Sequence, residues 1–231
     1  MKYSILLPYY DRLSQLETTL KSFVELYSDR KDFEIIIIED RKQKPQMTVD
    51  LLGLLGDSDF IKLKWKYIKC SADISFSPAT AFNDGAKESN GEFLIITNPE
   101  CKHDVDILSE LDKEFESDTE SYIICACKSI NKNGTFHRWY QHTKHRNRMY
   151  HFCSAISKEI YFKIGGFDER FTKGISYDDN AFIDNIIKSD IKVKVRDDLI
   201  VSHLWHKKNR PYGYRSLLAR NKKLYTQIYK H

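Results

Sequence analysis

The stretch LIITNPECKHD, residues 94–104, decides how this chain is read. It opens on apolar residues of the kind that fill both faces of a buried strand. It then halts at Asn98-Pro99-Glu100, because proline cannot donate to a ladder and restricts the residue before it. A surface turn accounts for this, and so does a strand end that delivers a carboxylate to a ligand crevice. Cys101 and His103 follow at once. A zinc site there is set aside, since no second close ligand pair has the usual spacing.

Working outward, three more apolar runs precede this one: YSILLPYY at 3–10, FEIIIIED at 33–40 and IKLKWKYIK at 61–69. The first two read as buried strands. The third alternates, with Ile61, Leu63, Trp65 and Tyr67 on one face. Helical spacing separates them: Leu13, Leu16, Leu20, Phe23, Val24 and Tyr27, then a short helix in MTVDLLGLLG at 47–56. Asp11 is the expected N-cap of the first helix, and Ser77 with Pro78 the expected start of another carrying Phe82 and Ala86. Val105, Leu108, Leu111 and Phe115 mark a helix after the fourth strand. Strand and helix alternating in this way predict an α/β fold, a mixed, mainly parallel central sheet flanked by helices.

The second half is read as strands at 122–127 and 152–157 and a short helix broken by Gly165-Gly166. A helix starting near Asp178, an alternating strand at 191–195 and a final amphipathic helix carrying Tyr214, Leu217, Leu224 and Ile228 complete it. With no repeat and no linker composition, the expectation is a single compact domain over 1–231. The expected division is into two halves, residues 1–117 and residues 118–231, the second carrying the C-terminal helix.

The chain of 231 residues is 41% hydrophobic and 30% charged, enough apolar material for one large core. Five cysteines, an odd number without dense spacing, predict reduced thiols and a cytoplasmic setting, with the inner face of a membrane as an alternative location. No run approaches about eighteen apolar residues, so no membrane span is expected. A net charge of +4 says little about partners. The basic run HRWYQHTKHRNRMYH at 137–151 lacks any acidic residue and could meet phosphate, nucleic acid or a membrane surface, or form a solvated loop.

In open α/β sheets ligands sit beyond the carboxyl ends of the strands. Three such ends carry polar groups here: Pro8 to Asp11, Glu39-Asp40 and Asn98 to Glu100. Glu100 is a candidate oxygen ligand for Mg2+ or Mn2+. Asp178 and Asp179 open a helix, where carboxylates serve the free N–H groups and the dipole. The same position suits a general base beside a bound hydroxyl. His206 is a candidate metal ligand, His203 either that or a satisfied core histidine, and Lys207, Lys208 and Arg210 could neutralise a diphosphate.

Together, YSILLPYYDR, FEIIIIEDRK, FNDGAKESNGEFLIITNPE and GGFDERFTKGISYDDNAFI resemble the GT-A fold glycosyltransferases of family 2, over about residues 3–206. The resemblance implies inverting transfer of a sugar from a nucleotide-diphosphate donor, UDP-sugars favoured, to a hydroxyl of a glycan or lipid-linked acceptor, with Mn2+ or Mg2+. It also implies a nucleotide-binding role for residues 1–117 and an acceptor-side role for residues 118–231. Carried onto this sequence, Pro8 and Tyr10 border the nucleotide and Asp40 lies near base and ribose. Asn83 belongs to the helix beneath the nucleotide. Asn98 and Glu100 fall on the metal motif, usually Asp-x-Asp. Asp179 is the implied base. SHLWHKKNRPY, residues 202–212, is similar to the polypeptide GalNAc-transferase segment whose later histidine binds manganese. That implies His206 as a ligand, with Lys207 and Arg210 toward the diphosphate. Asn98 departs from the motif: it removes one of two negative charges. A nucleotidyltransferase is disfavoured because PYYDRLSQ is no glycine-rich loop. A non-catalytic nucleotide-sugar or polyanion-binding module remains the alternative, and no nucleic-acid partner is expected.

Overall fold

The computed structural model describes residues 1–39, 45–56, 63–72, 75–208 and 210–230. Asp40, expected near the nucleotide, and Ile61 lie outside the described residues. The strands are β1 (Tyr3–Tyr9), β2 (Phe33–Glu39), β3 (Trp65–Lys69), β4 (Phe93–Thr97), β5 (Cys101–His103), β6 (Tyr122–Ile130), β7 (Phe136–Gln141), β8 (Cys153–Ser157) and β9 (Val193–His203). The helices are α1 (Leu13–Tyr27), α2 (Pro45–Leu55), α3 (Ala79–Glu88), α4 (Ile107–Ser117), α5 (Lys158–Lys163), α6 (Asp178–Lys188) and α7 (Tyr214–Tyr229).

Among the described residues, the nine strands join one sheet in the order β3-β2-β1-β4-β8-β6-β9-β5, with β7 paired to β6. β1, β2, β3 and β4 run parallel, as the alternation of strand and helix predicted. The second half is more mixed: β8 runs antiparallel to β4 and β6, β5 to β9 and β7 to β6, while β6 and β9 are parallel. The predicted α/β class, a mixed sheet flanked by helices in one domain, is the observed one.

Strand periodicity explains why the central strands read as unbroken apolar runs. Successive side chains point to opposite faces, and both faces are covered. Ile5, Leu7, Ile35, Ile37, Phe93 and Ile95 face α1, α2 and α4 through Leu16, Leu20, Phe23, Leu51 and Leu108. Leu6, Ile36, Ile38, Leu94 and Ile96 face α3, α5 and α6 through Phe82, Ala86, Tyr161, Phe182 and Ile186. Truncating one of these isoleucines to alanine costs about 2–5 kcal/mol by lost transfer energy and residual cavity. β3 is the sheet edge, so Trp65, expected on an apolar face, is 36% exposed.

Two helix starts differ from expectation. α1 begins at Leu13, one residue beyond Arg12, and Asp11 is held at φ 48° instead of capping it. α3 begins after Pro78 without a side-chain cap, and the Ser77 hydroxyl is buried without a hydrogen-bond partner. Proline here supplies the fixed φ that starts the turn, so no serine cap is needed.

The chain order creates the site. From β1 the chain steps outward to β2 and β3, then returns to β4 on the other side of β1. The crevice between the carboxyl ends of β1 and β4 is therefore a topological switch point, where such sheets bind ligands.

Candidate active site

Pro8 and Tyr10 close β1, and Asn98, Pro99 and Glu100 close β4. These five line one cavity of about 430 Å³, together with Ser77, Pro78, Pro211 and Tyr214. The Asn-Pro-Glu stretch is a turn and a ligand wall at once. The Asn98 carbonyl accepts from the Cys101 amide at 3.0 Å, and the buried Thr19 hydroxyl donates to the Pro99 carbonyl at 2.7 Å. Both bonds fix the direction in which Glu100 leaves the turn. Tyr10 is 38% exposed, an aromatic face open to the cavity.

β5 follows the turn and pairs antiparallel with β9, with Cys101 opposite His203. That register brings Glu100 beside the end of β9, and the Leu204 amide donates to the Glu100 carbonyl at 2.8 Å. Gln15 of α1 holds the segment from the other side by donating to the Trp205 carbonyl at 2.9 Å. Glu100 Oε1 then stands 3.6 Å from His203 Nε2 and 3.5 Å from His206 Nε2. The ligand atoms of all three residues lie within 4.8 Å of one another. Sequence reading named Glu100 and His206 and left His203 between two roles. The strand-end register that unites the three was not visible in it.

The donor set fits a divalent cation. His206 Nδ1 is 3.1 Å from the Lys207 carbonyl, an acceptor, which places the ring proton there and turns the Nε2 lone pair toward Glu100. Burial lowers the His203 proton affinity below the ordinary imidazole value. Two imidazole nitrogens and a carboxylate oxygen within 4.8 Å of one another form a donor set that a cation placed between them would satisfy. One carboxylate, two imidazoles and open positions for water and phosphate suit Mn2+ better than an all-oxygen Mg2+ site.

Beside this crevice, and sharing Pro78 and Asn98 with it, lies a second cavity of about 230 Å³. Its walls include Tyr150, His151, Ser176, Asp178 and Asp179. The acids open α6, after Ser176 and Tyr177 at φ 61° and 70°. Two consecutive non-glycine residues in the left-handed region cost about 1–3 kcal/mol each. Asparagine 221 of α7 helps hold this segment, donating to the carbonyls of Phe171 and Ser176 at 2.9 Å each.

The two acids differ sharply in access. Asp178 is 4% exposed, and its carboxylate accepts from the backbone N–H groups of Asp178 and Asp179, the structural role expected at a helix start. Burial, then the charge of Asp179, pushes the Asp178 carboxyl well above the ordinary range. The Asp179 side chain is 39% exposed, and the partial burial of its carboxyl in the cavity wall also raises its proton affinity. A carboxylate both reachable and more basic than usual is suited to accept a proton. His151, unremarked in the sequence, stands with Nε2 3.1 Å from Asp179 Oδ1.

The other expected site residues sit differently. Asn83 is buried, and its amide serves the fold: Nδ2 donates to the Phe167 carbonyl at 2.9 Å, while Oδ1 accepts from the Phe167 amide at 2.9 Å and Tyr161 hydroxyl at 2.6 Å. It acts on the Gly165-Gly166 turn rather than from the crevice wall. Lys207 and Arg210 are exposed, and the Arg210 guanidinium lies 5.3 Å from the ring centre of Tyr214, a crevice residue.

Solved structures place this architecture among known ones. The chain is similar to TarS 1–349 from S. aureus in complex with UDP-GlcNAc, at 14% identity and TM-score 0.71, over 90% of this chain and 60% of that one. It is similar to GalNAc-T7 with UDP, GalNAc and Mn2+, at 16% identity and TM-score 0.78, over 99% of this chain and 48% of that one. A third is the mannosyltransferase PcManGT from Pyrobaculum calidifontis with GDP-Man and Mn2+, at 14% identity and TM-score 0.63, over 93% and 59%. The chain thus spans about half to 60% of the length of these structures. A search of curated proteins finds no significant match. The profile of the family described as glycosyl transferase family 2 matches residues 4–184, taking in the β1 and β4 strand ends and the Asp178-Asp179 helix start. With most of its length so matched and the fold in agreement, the chain belongs to glycosyl transferase family 2.

Proposed function

We propose that this protein transfers a sugar from a nucleotide-diphosphate donor, a UDP-sugar by preference, to a hydroxyl of a glycan or lipid-linked acceptor, with inversion. The observation that carries the reading is the meeting of Glu100, His203 and His206 at the end of the β1–β4 crevice, next to the cavity that holds Asp179. Residues 1–117 supply most of the crevice wall and the carboxylate ligand; residues 118–231 supply the base, the two imidazoles and the rest of the wall through Ile175, Pro211 and Tyr214.

In this mechanism Tyr10 offers its ring to the nucleotide base and Pro8 fixes the floor beside it. Glu100, His203 and His206 would hold a divalent cation, which when bound would supply charge stabilisation for the departing diphosphate. Arg210, exposed beside Tyr214, adds a further positive charge at the same mouth. Asp179 accepts the acceptor hydroxyl's proton as its oxygen attacks the anomeric carbon. With a single base on the acceptor side, attack opposite the leaving group gives inversion. The exposed residues Arg138, Lys144 and Arg148 in and after β7 support an anionic acceptor.

A thermal-shift series with UDP-GlcNAc, UDP-GalNAc and GDP-mannose, each with and without Mn2+, tests the reading. The expected result is stabilisation by at least one nucleotide sugar that needs Mn2+ and is lost in Glu100→Ala. No nucleotide-sugar response under any condition rejects it. Donor binding without any hydrolysis or transfer would instead support the non-catalytic alternative.

A further inference from the structure

We infer that His151 is a positioning residue for Asp179, its Nε2 set against one carboxylate oxygen so that the other is presented to the acceptor hydroxyl. The inference rests on the reading of Asp179 as the base.

His151 comes from the segment just before β8, not from α6, so its approach to Asp179 is a tertiary contact. The side chain is 5% exposed and its Nε2 lies 3.1 Å from Asp179 Oδ1. Three aromatic rings surround the imidazole edge-on: Phe82 of α3 at 5.5 Å, Phe167 of the loop after α5 at 4.8 Å and Phe182 of α6 at 5.9 Å between ring centres. The ring can therefore neither swing away nor follow a moving partner. Among the described residues it is the side-chain partner of the Asp179 carboxylate.

Chemistry explains why an uncharged donor is suited here. Burial in the aromatic cage pulls the His151 pKa down to about 4, with the charge of Asp178 opposing the shift, so the ring is neutral where the acid is ionised. A carboxylate is acceptor-only, so the proton of the neutral ring belongs on Nε2. A cation at this place would depress the basicity of Asp179 strongly; a neutral N–H orients it and depresses it less. The same N–H can still donate to the carbonyl oxygen of the protonated acid, so the geometry survives proton transfer. The titratable groups facing Asp179 are Asp178 on α6, His151 and Tyr150 before β8, and Tyr122 of β6.

The test uses the full chain in three variants. His151→Phe keeps the ring and removes the donor, His151→Gln restores an N–H near the position of Nε2, and Asp179→Asn identifies the acid. The Asp179 carboxyl is followed by carbon-13 NMR against pH, a titration that needs no substrate. Turnover is followed as Mn2+-dependent hydrolysis of UDP-GlcNAc, UDP-GalNAc and GDP-mannose. The expected result for His151→Phe is an Asp179 titration moved to higher pH, because a donor to the charged form is lost. With it go a kcat lower by about 10- to 100-fold, an acid limb moved the same way and an unchanged donor KM. His151→Gln recovers most of each change. Should His151→Phe fail to fold, His151→Asn, whose amide reaches only the Nδ1 position, replaces it under the same outcomes. Parental titration and parental kcat in the donor-less variant overturn the positioning role alone, provided Asp179→Asn is inactive. A folded Asp179→Asn with full turnover overturns the base reading, and this inference with it.

Discussion

Glu100 is the single carboxylate in a trio whose other members are imidazoles, so it carries the negative charge that makes a cation welcome there. Glu100→Ala is expected to weaken Mn2+ binding by more than about 10-fold, beyond the lower range seen when only outer partners of a metal site change. Asn98→Ala, which leaves all three ligand atoms in place, should weaken it much less. Titration by quenching or calorimetry reads both, and equal curves for parent and Glu100→Ala would remove Glu100 as a ligand. Asp179→Asn is expected to lower kcat by at least about 100-fold, the smaller end of what a positioned base contributes. Donor affinity should be unchanged, since the cavity of Asp179 is beside the crevice rather than in it. Asp178→Asn should behave differently. Its carboxylate is buried among the backbone N–H groups of the helix start, so the change acts on stability and placement rather than on proton transfer.

At the scale of elements, α7 holds the acids from behind. A Cβ added to Gly174 would meet Asn221 Oδ1 at 2.2 Å, so the glycine is needed for α7 to dock. Gly166 has the same relation to Asn83 Oδ1, at 2.5 Å, and a left-handed φ of 64° besides. The room these glycines leave is filled by the protein's own amides. Gly174→Ala is expected to destabilise by about 1–3 kcal/mol through overpacking. Asn221→Ala should cost about 1–3 kcal/mol by orphaning the Phe171 and Ser176 carbonyls. The two residues touch, so the double variant should cost less than the sum. Strict additivity in urea unfolding would show that the close approach is not what the glycine is for.

For the whole molecule, the start of β1 is tied to α4 by charge. Asp112 accepts from Tyr3 and Arg30 at 2.8 Å each and pairs with Lys2 at 2.6 Å. Burial pushes this carboxyl up, but hydrogen bonds from Arg30, Lys2 and Tyr3 outweigh burial and carry it down to about 2. A folded value below the unfolded one, ordinarily near 3.9, means stabilisation that is fully present above about pH 4. It is lost as pH falls through about 2. Asp112→Asn should therefore lower Tm at neutral pH and lose that difference near pH 2, as read by circular dichroism. A pH-independent difference would assign the effect to packing instead.

Much of this protein was legible in one dimension because its strongest signals are local. Runs such as Ile35 to Ile38 declare a strand covered on both faces, spacing by threes and fours declares α1, α4 and α7, and Asn-Pro-Glu declares where β4 must stop. Tertiary structure alone decided which strand ends become neighbours, since pairing depends on register between segments far apart in the chain. It set Cys101 opposite His203, which made His203 the third member of the trio with Glu100 and His206. It also decided that Asp179, not Asp178, is reachable, and that His151 stands against it. Burial and mutual distance are properties of packed surfaces, and no spacing along the sequence encodes them.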